Sequence, residues 1–450
     1  MSFDFLSALS PLDGRYQPKL SALQGIFSEY GLIYQRVQVE IAWLKWLLAT
    51  LPELTNFTKA AVKLDTIVQN FDPAAAKVIK SYEKNTEHDV KAVEYYLRDQ
   101  LTTLGLTPLI PFIHFAATSE DINNVAYALM LKTAREQVLT PLMQEVATHL
   151  QSLAHRYAAL AMLAYTHGQP ATPTTLGKEL NNFSFRLQRQ LEQFKNVPIL
   201  AKFNGAVGNF NAHLAAYPTI DWAQQTKAFV ESFQLVNNPY TTQIEPHDGI
   251  AEYLHVLVRF NTIILDLDRD LWTYISMGYF TQKKTEQAVG SSTMPHKVNP
   301  IDFENSEGNC GIANALANHL ATKLPVSRLQ RDLSDSTVLR NLGSIFGYCL
   351  ISYSATLQGL TKLAANEAKI AADLQQHWEI LAEAIQTVMR KHGIADAYEQ
   401  LKKFTHGKQI DQATLHAFIQ QLKLPTEAKN MLLKLTPHDY LGLAEKLARG

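Results

Sequence analysis

Helical periodicity over long stretches limits this chain to few folds. Val138, Leu142, Val146, Leu150 and Leu153 recur at spacings of four and three, and Leu176, Leu180, Phe183, Leu187, Leu191 and Phe194 do the same. Each set lays one wide apolar stripe along several helical turns, the pattern a helical bundle buries. The segment 250–280 continues it through Leu254, Leu257, Ile264 and Leu271, and 301–323 and 341–361 also read as helices. Pro141 is placed to kink the first helix, and Pro325 ends the one over 301–323. Between 112 and 360 no alternating run of β-branched residues is long enough for a substantial strand. Only a small hairpin around Ile199 to Tyr217 fits there, with Gly205 and Gly208 flanking Val207. The expected fold is all-α, a core of long bundled helices with smaller helical domains at the two ends.

The flanks differ from that core. Residues 1–110 mix short helical patterns with turns. Gln24–Leu48 is predicted helical, with Ile41, Leu44 and Leu48 on one face, and Lys84–Arg98 is predicted helical with His88 and Asp89 in its first turn. Pro108 and Pro111 mark a boundary near 110, and from about 364 the charge density rises and the helices shorten. The expected domains are therefore 1–110, 111–363 and 364–450. The uncharged run Asn341–Thr361 is interrupted by Asn341, Ser344, Ser352, Ser354 and Gln358, so it reads as a buried bundle helix, not a membrane span.

Composition removes several function classes. Lys plus Arg is 41 against 42 Asp plus Glu, a net charge of -1, so no bulk basic field draws nucleic acid or an anionic membrane. Cys310 and Cys349, the two cysteines, suggest neither a disulfide framework nor a zinc site, and they suit a reducing cytoplasm. The opening MSFDFLSALSPLDGRY lacks the basic and apolar regions of a signal peptide, so a cytoplasmic location is expected. There is no HExxH, P-loop or GxGxxG, which leaves a metal, nucleoside triphosphate or dinucleotide without its usual cradle. Acid/base chemistry without a metal or cofactor is the expectation.

Polar loops interrupt the apolar helices, and the richest is VGSSTMPHKVNPID, Val289 to Asp302. Gly290 loosens the backbone, Pro295 and Pro300 forbid helix through the middle, and Asn299 with Pro300 looks like an N-cap and first helical position. Two hydroxyls and an ammonium thus approach a helix start, a place to handle a carboxylate or developing negative charge. Ser10 to Gly14 forms a turn followed by Arg15-Tyr16, Thr118 and Ser119 stand where a helix is capped, and Gln243 lies in the loop 238–249. Tyr165 to Pro173 is a non-helical turn holding His167, with Thr172-Pro173 starting the next helix. Ser327 to Arg340 carries three arginines and three serines. Each has a plainer reading: Arg15 as surface charge, His88, Thr118 and Ser119 as caps, His167 as a buried turn residue, Arg331 and Arg340 as salt bridges.

Gly290 to Pro300, in the pattern GSSxMPxKxNP, resembles the signature of the fumarase/aspartase superfamily, whose members eliminate fumarate from a succinyl group. THGQPATP from Thr166, HDVKAVE from His88, TSEDINN from Thr118 and TQIEPHD around Gln243 resemble the adenylosuccinate lyase family in its bacterial purine-biosynthesis form. The resemblance runs from SPLDGRY at Ser10 into the C-terminal domain. It implies the fumarase/aspartase-like bundle and a β-elimination. A base removes a proton beside a carboxylate, a cation or donor stabilises the aci-carboxylate, and an acid protonates the leaving nitrogen. Lys297 and Asn299 suit the second role and His167, titrating near neutrality, the third. A serine suits the first only if its surroundings favour the alkoxide.

By resemblance Ser291 is the base and His167 the acid. Ser292, Thr118, Ser119, Gln243, Lys297 and Asn299 hold the succinyl carboxylates, and Asn305 joins the substrate-binding set. Arg15, Tyr16, Arg331, Ser336 and Arg340 take the 5′-phosphate, and His88 and Asp89 place the nucleotide. Glu87 departs from the neutral or basic residue expected before His88-Asp89 and is left outside the set. The resemblance further implies two substrates: adenylosuccinate, giving AMP and fumarate, and the succinylated ribotide SAICAR, giving AICAR and fumarate. It implies a homotetramer with active sites shared between subunits, in keeping with polar loops at the ends of helices roughly 45 Å long. A silent helical scaffold is the competing reading, and the intact Ser291, Lys297 and His167 argue against it.

Overall fold

The apolar stripes become the buried faces of long helices. In the computed structural model, which describes residues 5–283, 294, 297–405 and 410–450, long helices run over Glu29–Thr50, Thr140–Arg156, Leu176–Asn196, Asp248–Ser276, Ile301–Lys323 and Leu342–Lys362. Val146, Leu150 and Leu153 of the first stripe are buried, as are all six residues of the second. The 29-residue Asp248–Ser276 helix spans about 43 Å. Strands among the described residues are limited to three two-stranded pairs, so the fold is all-α. None of the described helices is long and apolar enough to cross a membrane.

The chain divides into two compact units whose boundaries fall mostly inside the long helices. One comprises Met1–Met143, Gln190–Thr262 and Gly308–Ser354, and the other Gln144–Arg189, Ile263–Glu307 and Ala355–Gly450. In the first, Trp43 packs against Phe203 at 4.3 Å and Phe229 at 5.1 Å between ring centroids, an apolar knot beneath the polar loops. In the second, the helices after residue 364 close over Leu163, Trp378, Ile385, Met389, Leu401, Leu415 and Ile419.

Local chemistry explains where the elements depart from the periodicity. The expected Gln24–Leu48 helix is two, Ser21–Phe27 and Glu29–Thr50, because Ser28 turns extended and its Oγ accepts from the Gly31 N–H at 3.2 Å. Gly31 permits the tight corner, since a Cβ there would lie 2.4 Å from the Ile26 carbonyl oxygen. Lys84–Arg98 likewise divides into Pro73–Thr86 and Asp89–Thr103, with Glu87 left-handed (φ 51°) at the first C-terminus and exposed. The irregularity expected at Pro141 sits just before it, as one π turn over Arg135–Leu139.

No hairpin forms at 199–217. Leu200–Ala201 pairs in parallel with Val236–Asn237, and Asn211–Ala216 is helical. The hairpin lies instead at Ala161–Thr166 and Gln169–Thr175, antiparallel, and the following helix begins at Leu176, not at Thr172-Pro173. Pro170 and Pro173 in its second strand hid it, although a two-stranded ribbon has free edges that accept proline.

Candidate active site

In the first unit, the site is organised around the start of the Ser119–Ala134 helix. Its first turns carry four buried polar residues, Glu120, Asp121, Asn123 and Asn124, where burial demands partners. Asp121 receives the Thr118 N–H at 2.9 Å and the Asn204 and Gly205 N–H groups at 3.0 Å each, and it pairs with Lys202 Nζ at 2.8 Å. Both members of that ion pair are fully buried. The Asn124 side chain accepts the Lys202 N–H and donates to the Lys202 carbonyl. These bonds fix Thr118 and Ser119 against the loop 202–205.

His88 caps the Asp89–Thr103 helix through Nδ1, which accepts the Lys91 N–H at 3.1 Å, and its Nε2 lies 3.4 Å from Ser119 Oγ. The capping reading of His88 holds, and its other ring nitrogen faces a second candidate, Ser119. Asp89 is bound by Arg36 at 2.6 Å and stands 3.6 Å from Arg340 Nη2. Burial alone would raise its carboxyl, but the Arg36 guanidinium and the Val90 N–H hold it below the ordinary range. Arg340 also donates to Glu29 at 2.7 Å. Arg331, mostly buried, pairs with Glu120 at 2.9 Å and donates to Gln243 Oε1 at 3.3 Å.

Thr118, Ser119, His88 and Asp89 are thus tied into one region of this unit with Gln243, Arg331 and Arg340, although their loops lie far apart in sequence. Arg340 lines two adjoining cavities of about 230 and 150 Å³, walled by Leu12, Phe27, Tyr127 and Gly343 among others. Ser336 lies on the Ser334–Leu339 helix between the two arginines, its N–H directed to Asp335 at 2.7 Å. Arg15 is exposed and Tyr16 half-buried, after a turn closed by the Gly14 N–H on the Ser10 carbonyl at 3.0 Å. Arg328 is 83% exposed and spends its charge on Asp332 at 3.0 Å.

The second unit holds the remaining candidates. His167 and Gly168 form a two-residue hairpin turn with φ of 54° and 72°, both left-handed, as the tightest hairpin connections require. His167 is exposed at the tip, which removes the buried-turn reading. Lys297 is exposed, with its N–H on the Met294 carbonyl at 3.1 Å, and Asn299 and Asn305 are half-buried. The helix that follows Asn299 and carries Asn305 starts at Ile301. The Pro300 carbonyl accepts the Glu304 N–H at 3.3 Å, so the cap is Pro300, one residue past Asn299. Ser291 and Ser292 lie outside the described residues. Among the described residues, no cluster of three His, Cys, Asp or Glu could hold a metal ion.

Sequence reasoning missed Arg36, Glu120, Asn123 and Lys202. For Arg36 and Glu120 the one signal is charge on an otherwise apolar helix face; Asn123 and Lys202 carry none. Arg36 and Glu40 stand four apart in the run LIYQRVQVEIAWL, and the Glu120-Asp121 pair opens a helix that is buried nearly all round.

Known proteins share this chain's sequence and fold. A family described as "Lyase" matches residues 14–313, and one described as "Adenylosuccinate lyase C-terminal" matches residues 327–441. An adenylosuccinate lyase of Haemophilus influenzae is 54% identical over 451 residues, 99% of each chain. One from Escherichia coli K12 is 53% identical over 448 residues, 99% of this chain and 98% of its own. The crystal structure of 3-carboxy-cis,cis-muconate lactonizing enzyme from Pseudomonas putida, 20% identical, matches 95% of both chains with a TM-score of 0.74 and shows the same fold. With relatives this similar over its whole length, the chain belongs to the adenylosuccinate lyase family of the fumarase/aspartase superfamily.

Proposed function

We propose that the chain eliminates fumarate from two succinylated purine-pathway nucleotides, turning adenylosuccinate into AMP and SAICAR into AICAR. The observation that carries this reading is the 54% identity to an adenylosuccinate lyase over 99% of both chains. Membership of that family makes the chain a carbon–nitrogen lyase. Fumarase-type relatives that act on substrates without a ribose phosphate have no need of the arginines. Arg331 and Arg340, linked through Glu120, Asn123, Arg36 and Asp89, would give a nucleotide phosphate two guanidiniums of opposite charge to its own.

In the proposed reaction Ser291, as alkoxide, takes the proton from the succinyl carbon next to a carboxylate. The electron pair moves onto that carboxylate, and Lys297 with Asn299 stabilises the doubly charged aci form. The pair returns to form the fumarate double bond, the C–N bond breaks, and His167 delivers a proton to the departing nitrogen. Ser292, Thr118, Ser119, Gln243 and Asn305 hold the succinyl end. Arg15, Tyr16, Ser336, His88 and Asp89 hold the nucleotide end. A serine base needs a site closed to water, yet His167 and Lys297 are exposed in the single chain. That need supports a homotetramer with active sites shared between subunits. So do Phe185, Trp272 and Ile312, apolar side chains 45–65% exposed on three of the long helices.

The test is fumarate release by the purified protein from adenylosuccinate, with argininosuccinate, malate and aspartate in parallel. Release from adenylosuccinate, abolished by Ser291→Ala, is expected. Release from one of the other substrates keeps the elimination but removes the phosphate site. No release from any points to the silent scaffold. Light scattering that finds a fully active monomer ends the shared-site assembly.

A further inference from the structure

A continuous line of polar contacts joins the two arginines through Arg36. That residue is 2% exposed and sits on the buried face of the Glu29–Thr50 helix. Its Nη2 donates to Asp89 Oδ2 at 2.6 Å, the oxygen that stands 3.6 Å from Arg340 Nη2. Its Nε donates to Asn123 Oδ1 at 2.8 Å. Asn123 Nδ2 in turn donates to Glu120 Oε1 at 2.8 Å, the oxygen that pairs with Arg331 Nη2 at 2.9 Å.

We infer that Arg36 is a positioning residue that sets the spacing and the free charge of Arg331 and Arg340, and so decides how well the site holds a phosphate monoester. The inference rests on the phosphate reading given above. Its physical basis is the guanidinium fork. The fork is rigid and planar, with donors at fixed separation, so two acceptors bound to it are held at one distance. Those acceptors lead to Arg340 on one side and to Arg331 on the other.

Charge works in the same direction. Asp89 and Glu120 each face an arginine of the site. With Arg36 in place, Asp89 shares its negative charge with a third cation, and Glu120 has one oxygen divided between Asn123 and Arg331. Without Arg36, both carboxylates turn wholly to the site arginines and cancel the charge a phosphate requires. A lysine at position 36 keeps the positive charge but is a point donor on a flexible stem and cannot span Asp89 and Asn123 together.

The experiment compares binding of AMP and of adenosine by calorimetry in wild type and Arg36→Lys, with thermal unfolding in parallel. The expected result is a loss of AMP affinity of roughly ten- to a hundredfold, as for charge-assisted hydrogen bonds made to a misplaced partner. Adenosine affinity stays within about twofold, and KM for the phosphorylated substrate rises more than kcat falls. Should Arg36→Lys fail to fold, Asn123→Ser breaks the line one link further on and carries the same selective loss. An unchanged AMP-to-adenosine ratio in a folded variant overturns the inference, and so does an equal loss for both ligands, which marks a merely structural arginine. Equal binding of the two ligands by wild type removes the phosphate site itself, and the role of Arg36 with it.

Discussion

Around Asp121 every approach is enclosed and answered: Lys202 supplies a buried ammonium and three backbone N–H groups supply donors. Around His167 the chain turns in solvent, two residues in left-handed geometry at a hairpin tip. The first region is finished within one chain, and its groups hold their neighbours in register. The second, if His167 is the proton donor proposed above, needs enclosure from elsewhere to work. The difference predicts where mutations separate stability from catalysis. Changes near Asp121 destabilise the protein, and changes at the tip silence it while leaving it folded.

His167→Asn tests the silent side and has the largest expected effect. Asparagine accepts left-handed backbone and is favoured before glycine in such turns, so the hairpin survives. Loss of the acid lowers kcat by about 10² to 10⁴. Steady-state fumarate release and a thermal melt check both halves. Wild-type turnover in the variant ends the acid role.

Lys202→Met tests the enclosed side. It strands a fully buried Asp121 charge, and removing one partner of such a pair costs about 3–5 kcal/mol. The loss appears in urea unfolding as a lower midpoint with an unchanged slope. A variant as stable as wild type would mean that the Asp121 N–H bonds suffice alone.

The contrast between these regions also marks what the sequence could disclose. The stripe Leu176 to Phe194 is local, and it foretold its helix because one element's period is written in its own residues. The string from Gly290 to Pro300 carried the family because loop chemistry there is dense and specific. The Arg36–Asn123–Glu120–Arg331 line was not legible. Its members lie up to 295 positions apart, and each alone reads as an ordinary polar residue. A polar side chain such as Glu120 or Asn123 is ordinarily solvated, and only tertiary burial with partners from other segments reverses that. The His167 hairpin was hidden for the opposite reason. Its two prolines read locally as strand-breaking, and only the ribbon's lack of neighbours makes them admissible.

A pH titration sharpens the comparison inside the enclosed region. Burial tends to lower the His114 imidazole, but the Glu40 carboxylate 2.6 Å away overrides this and raises it to about 9. A raised folded value means that the imidazolium stabilises the fold fully below about pH 6.5, and the contribution fades as pH rises toward 9. The pair is therefore worth on the order of 3 kcal/mol at pH 6, most of it gone by pH 9. Glu40→Gln should flatten that part of the stability profile, measured by chemical unfolding at fixed pH steps. A variant with the wild-type slope between pH 6.5 and 9 assigns the slope to another group.

Glu29 offers the smallest effect and the finest test of how ready the binding half is. Its carboxylate takes the Arg340 guanidinium at 2.7 Å, where on the proposed reading a phosphate oxygen would bind, while Lys80 balances it from the other side at 3.2 Å. Glu29 is 40% exposed, so this pair is screened and easily exchanged. Glu29→Gln removes the competing anion and keeps the size of the side chain. AMP should bind up to about fivefold more tightly, the most an exposed ion pair is worth. Because the product holds on more tightly, AMP inhibition should rise while adenosine affinity stays level. Weaker AMP binding in this variant would give Glu29 the opposite part, a carboxylate that aims Arg340 at the ligand and does not compete with it. The enclosed half of the site would then extend outward to the surface of the Glu29–Thr50 helix.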